Sequence, residues 1–231
     1  MKHLWRYIFI LTAIIILWNQ FILRPIRILS IFIHKIGYSF IAFLFGYGKE
    51  AFSAAFENLG VTILNVPGWF SSFFVLNGGY ISSALFFVII TGLKKTGAKK
   101  YLLGIIAIVY MFISVINPAL QFTWVYIIFF VSIVIILYMV KKSSLEEWII
   151  DIAGISAIAY IIYDTFVDTI LFTINEKFNI INSWRSAPPA YLVKLSEITP
   201  LPALVWAIIW LVISILLFHM LLIKSSRYLR R

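Results

Sequence analysis

Four ionisable side chains stand inside strongly apolar stretches of this chain: His34, Lys35, Asp164 and Asp168. Each is costly there, roughly 3 kcal/mol for a lysine near the centre of a membrane helix, so each needs a reason. A histidine so placed can ligate a metal or simply hydrogen-bond a neighbouring helix. Lys35 can be a functional cation, or it can snorkel to an interface. Asp164 and Asp168 are four apart and share one face of a helix. Paired carboxylates in a membrane bind a cation or relay protons. Lys35 can also neutralise one of them across a helix interface, and that structural pairing is the expectation here. Asp151 lies nearer a run end and is expected to be solvated, as are His3 and His219.

The elements that must position these residues are apolar runs. The chain has 231 residues, 63% hydrophobic and 12% charged, with a mean hydropathy of +1.02. A soluble domain carries about 25% charged residues and could not hide so much apolar surface in one core. Seven runs recur at 7–23, 28–47, 69–93, 101–116, 121–140, 148–174 and 204–223. They are near-continuous and close to the ~20 residues of a spanning helix, without the alternation of barrel strands. The expected fold is all-α: a polytopic transmembrane bundle of about seven spans, six if the first run does not cross. Residues 1–231 are read as a single integral membrane domain, with membrane lipids as its surroundings. There is no cysteine, which excludes disulfides, cysteine–zinc sites, iron–sulfur clusters and thiol nucleophiles.

The net charge of +10 comes from cations that flank the runs. That placement suits lipid headgroups and orientation control, not nucleic acid. With the N-terminus outside, Arg24, Arg27, Lys94, Lys95, Lys99, Lys100, Lys141, Lys142, Lys224, Arg227, Arg230 and Arg231 share the cytoplasmic side. Lys2, Arg6, Lys49, Lys177, Arg185 and Lys194 lie opposite. The rule of cytoplasmic positive charge then gives N-out and C-in, although Lys2 and Arg6 pull the other way. The first run is read as a retained helix ended by Arg24-Pro25. Between runs, Val61-Thr62-Ile63-Leu64 can pair as a short strand before a turn at Pro67-Gly68, and Asn117-Pro118 closes a tight helical hairpin. Asn175 to Ala203 is the longest polar connection.

The stretch His34-Lys35-Ile36-Gly37-Tyr38 resembles the zinc signature of the site-2 protease clan, His-Glu-x-Gly-His on a membrane helix. Two further stretches resemble the bacterial B-like branch of that metallopeptidase family. Leu76-Asn77-Gly78-Gly79-Tyr80-Ile81-Ser82-Ser83-Ala84-Leu85 is similar to its small-residue segment. Thr199-Pro200-Leu201-Pro202, followed by a helix with Trp206 and Trp210, is similar to its ending. The order and spacing agree, and the resemblance covers roughly residues 31–218. It implies two histidines on one helical face reaching zinc, a glutamate as general base, and a later carboxylate completing the site.

This sequence departs from all but the first of these. His34 stands at the first ligand position, Lys35 replaces the glutamate and Tyr38 replaces the second histidine. The later carboxylate is expected between Arg185 and Leu195, where no Asp or Glu occurs. The resemblance therefore implies the family fold without hydrolysis: a pseudoprotease of the bacterial inner membrane that binds or regulates transmembrane segments of other proteins. No catalytic residue, metal or cofactor is expected on this reading. Two alternatives stay open. One is a carrier or channel for a small solute or ion using Asp164 and Asp168. The other is an active zinc protease with replacement ligands drawn from His34, Asp164 and Asp168. Gly37, Gly46, Gly78 and Gly79 are read as positions of close helix contact.

Overall fold

The structure is a computed structural model that describes residues 2–56, 63–64, 66–116, 124–140, 143–182 and 186–228. Among them the chain forms α1 (Lys2–Ile16), a 3-10 turn (Phe21–Leu23), α2 (Arg24–Ala42), α3 (Glu50–Phe56), α4 (Trp69–Leu93), α5 (Lys99–Ile116) and α6 (Trp124–Val140). These are followed by α7 (Ser143–Ile162), a π-helical stretch (Tyr163–Leu171), α8 (Phe172–Phe178), α9 (Ala190–Ile198) and α10 (Ala203–Tyr228). Four described helices are long and apolar enough to cross a membrane: Phe21–Tyr47, Trp69–Leu93, Leu145–Phe178 and Ala203–Leu221. They coincide with the second, third, sixth and seventh apolar runs. The Asn117-Pro118 hairpin and residues 61–62 of the expected strand lie outside the described residues.

Helices α2 and α4 form the closest seam. They run antiparallel, with the Ser82 hydroxyl donating to the Ile33 carbonyl at 2.7 Å. A Cβ on Gly37 would overlap Ser82 and the Gly78 carbonyl, so the backbones approach as only small residues allow. Helix α7 lies antiparallel to α4, where Gly154 meets Ile90 and Asp151 meets Lys94. Helix α10 lies parallel to α4: Trp210 donates to Asn77 at 2.8 Å, and Phe218 stacks on Phe87. Gly46 does not mark a helix contact. Nothing lies near it, and its φ of +89° lets the chain leave α2 through a wide turn over Phe43–Tyr47.

The first helix is shorter, apolar over Trp5–Ile16. Arg6 pairs with Asp151, which also binds Lys94, and Tyr7 lies beside Lys94. At its other end Trp18 packs on Tyr160 and Tyr163. Helix α1 thus runs alongside α7 from Asp151 to the depth of Tyr163, about 18 Å further along that helix. The chain then turns back, because Ile22, Pro25 and Ile26 share a cavity with Ile149 and Ile152. Arg6 therefore lies beside Lys94, which corrects the expectation that the two stand on opposite sides. Asp151 is not solvated either: it is 4% exposed and holds two cations.

A second element dips in from the other end. Helix α3 folds back along α2, with Phe52 beside Phe43 and Phe56 beside Phe32. The chain then climbs through Ile63 and Leu64 to the Pro67-Gly68 turn that starts α4.

Candidate functional site

The three degenerate motif positions sit near mid-length on α2 and meet three different fates. Lys35 is buried and its ammonium donates to the Ala55 carbonyl at 2.7 Å, at the C-terminal end of α3. A cation there satisfies a carbonyl that the helix leaves open and complements the negative end of its dipole. The expected ion pair with Asp164 or Asp168 does not form, because α3 claims this lysine first. Tyr38 is also fully buried, and its hydroxyl accepts the Leu64 backbone N–H. Both substituted residues thus hold the same connection, between α2 and α4.

His34 shares the Tyr38 side of α2 and enters an aromatic cluster. Its ring centroid lies 4.9 Å from Tyr80, 4.9 Å from Tyr160 and 5.1 Å from Tyr191. The side chain is 1% exposed, and neither Nδ1 nor Nε2 has a hydrogen-bond partner. Gly79 admits the ring, since a Cβ at that position would overlap it. Tyr80 continues the cluster onto Trp210, and Tyr191 onto Tyr38.

Asp164 closes the other side. The hydroxyls of Tyr160 and Tyr80 lie against its carboxylate. Yet Oδ2 of Asp164 and Oη of Tyr80 stop short of a well-formed hydrogen bond. Asp164 is buried, whereas Asp168 is half-buried and faces Ser186 near the edge of the bundle. The π-helical stretch carries both. Its backbone widens where Thr169 donates its hydroxyl to the Asp164 carbonyl, five residues back, at 2.9 Å. Thr165 and Thr173 each bond a carbonyl four residues back. Such local competition by threonine loosens a helix, and π-helical turns gather at functional sites.

Sequence reasoning singled out His34, Lys35, Tyr38, Asp164 and Asp168. The structure brings His34 and Asp164 to one cluster, sends Lys35 and Tyr38 to the neighbouring connection, and leaves Asp168 at the rim. It adds Tyr80, Tyr160 and Tyr191, which sequence reasoning missed. Tyr80 lay within the small-residue segment already noted, and Tyr160 stands one helical turn before Asp164. Tyr191 comes from the stretch in which the later carboxylate was expected, so an aromatic ring occupies that region. Burial pushes its phenol well above the ordinary value, with Tyr38 and Asp164 adding to the effect, so it remains a neutral donor.

The residues present do not fit zinc. A catalytic zinc site needs about three protein ligands. Among the described residues no three His, Cys, Asp or Glu side chains come together. Tyr38 is committed to the backbone, and Lys35 adjoins His34 on the chain.

No curated protein and no solved structure matches the chain. A family match does exist, described as Peptidase M50B-like, over residues 7–221. It takes in the motif helix, the small-residue segment and the Trp-bearing last helix. The chain therefore belongs to the Peptidase M50B-like family, within the site-2 protease clan.

Proposed function

We propose that this protein is a non-hydrolytic member of its family, which holds membrane-spanning segments of other proteins without cutting them. One observation carries the reading. The residues standing for the general base and the second metal ligand, Lys35 and Tyr38, are both bonded to backbone of the α2–α4 connection. Neither hydrogen-bonds His34, and three tyrosine rings pack against the imidazole where a metal and a water would need room. The protein resides in the plasma membrane with the lysine-rich face toward the cytoplasm. With Lys2 and Arg6 moved to that face, fourteen cations stand there against four opposite, a sharper asymmetry than the sequence count gave.

Metal analysis of the purified protein, with a cleavage assay on transmembrane substrates, tests the reading. Zinc far below one per chain and intact substrates are expected. Stoichiometric zinc with proteolysis that His34→Ala abolishes overturns it. Cross-linking in native membranes should capture uncut membrane proteins. The unpartnered Asp164 oxygen favours a second reading, a cation carrier, whose mark is a liposome flux lost in Asp164→Asn.

A further inference from the structure

We propose that the groove between α2, α4 and α5 is a binding site for one acyl chain of an anionic phospholipid. Its headgroup rests on the lysine-rich turn that joins α4 to α5. The inference needs only that the chain lies in a membrane and is independent of whether it cleaves anything.

The groove has a volume of about 410 Å³ and is lined by Phe32, Ile36, Leu85, Ile89, Leu93 and Ile105 among others. It exists because α5 leans on α6 and touches α4 little. Along α4 it runs from Ser82 to Leu93, eleven residues or about 16 Å. That is close to half of the ~30 Å hydrocarbon core, the depth of one leaflet. The polar atom at its inner end, the Ser82 hydroxyl, is already bonded to the Ile33 and Gly79 carbonyls, so the groove asks for hydrocarbon throughout. A single acyl chain suits the space.

Charge identifies the headgroup. Leu93 and Leu102 end the groove on either side of the turn Lys94-Lys95-Thr96-Gly97-Ala98-Lys99-Lys100, which contains four lysines and no acidic residue. Arg6 joins them through Asp151. Asp151 holds Arg6 and Lys94 and Glu147 holds Lys99, and by sequence this corner carries five cations against the three carboxylates Glu146, Glu147 and Asp151, a positive excess. Each basic residue near an anionic lipid surface contributes about 1 kcal/mol of attraction.

The test uses the full chain in phosphatidylcholine vesicles, with trace phosphatidylglycerol or phosphatidylcholine spin-labelled near the chain end. The motionally restricted fraction reports relative association. Phosphatidylglycerol should be favoured several-fold. Leu85→Trp with Ile89→Trp, both at exposed positions, should fill the groove and bring the ratio near one with unchanged thermal unfolding. Ile105→Trp should do the same from the opposite wall. Lys95→Gln with Lys100→Gln should lower the ratio while leaving spin-labelled phosphatidylcholine unaffected. A native ratio near one overturns the proposal. So does a ratio that survives both groove fillings, which would mean attraction to the lysine turn alone. Spin-labelled stearate that outcompetes phosphatidylglycerol also overturns it, in favour of a free fatty acid.

Discussion

Two polar regions of this bundle are built on opposite terms. At the lysine-rich end, Asp151 holds Arg6 and Lys94, and Glu147 takes Lys99 at 2.6 Å. These bonds tie α1, α4, α5 and α7 together. At mid-depth, His34, Tyr80 and Asp164 bring four buried polar atoms into one cluster and leave them without partners. Paired charges in apolar surroundings serve the fold, because removing one strands the other. Unpaired polar groups do not serve it, since each carries a desolvation cost with no return. The first region explains how the helices stay together. The second surrounds the first position of the family motif with aromatic rings.

The comparison can be broken by substitution. Asp151→Ala should lower stability most, by about 3 kcal/mol, because it leaves Arg6 and Lys94 facing each other without a carboxylate. Thermal unfolding in detergent measures it, and a loss under about 1 kcal/mol would sink the idea that this corner holds the bundle. Gly79→Ala should cost about 2 kcal/mol by driving a methyl group into the His34 ring. Adding His34→Ala should return much of that loss, and strict additivity of the two would show that they do not touch. Tyr38→Phe should cost about 1 kcal/mol, the worth of the Leu64 N–H bond. It should also speed hydrogen exchange at Leu64, and unchanged exchange there would count against the contact. Asp164→Asn should change stability least, by under about 0.5 kcal/mol or in the favourable direction. A loss comparable to that of Asp151→Ala would erase the distinction between the two regions.

The apolar runs were legible because a hydrocarbon solvent leaves an unbroken record in composition, and four of them coincide with described helices long and apolar enough to cross a membrane. Length alone misled at the first run. Tyr7 to Leu23 is long enough to cross, yet the Arg6–Asp151 pair pins its start to the face where Lys94 lies. Such a pairing between distant positions has no local signature. The descent of α3 was hidden for a similar reason: the residues after Gly48 belong to none of the apolar runs, and the Lys35 bond to Ala55 and the Phe56–Phe32 contact show how deep they reach. Motif spacing singled out His34. It could not say that Lys35 and Tyr38 turn toward the following connection, nor that Tyr191 enters beside them. Tyrosines near run ends look like interfacial anchors in any membrane sequence, so a buried set of them is invisible until the helices meet.

The widened backbone at Tyr163–Leu171 is where this helix could lose a residue at least cost. A π-turn holds one residue more than the α-turn it replaces, so deleting one there would close the stretch to ordinary pitch and leave the residues on either side facing their present neighbours. The same deletion beside Gly154, in regular α-helix, would rotate everything beyond it by about 100°.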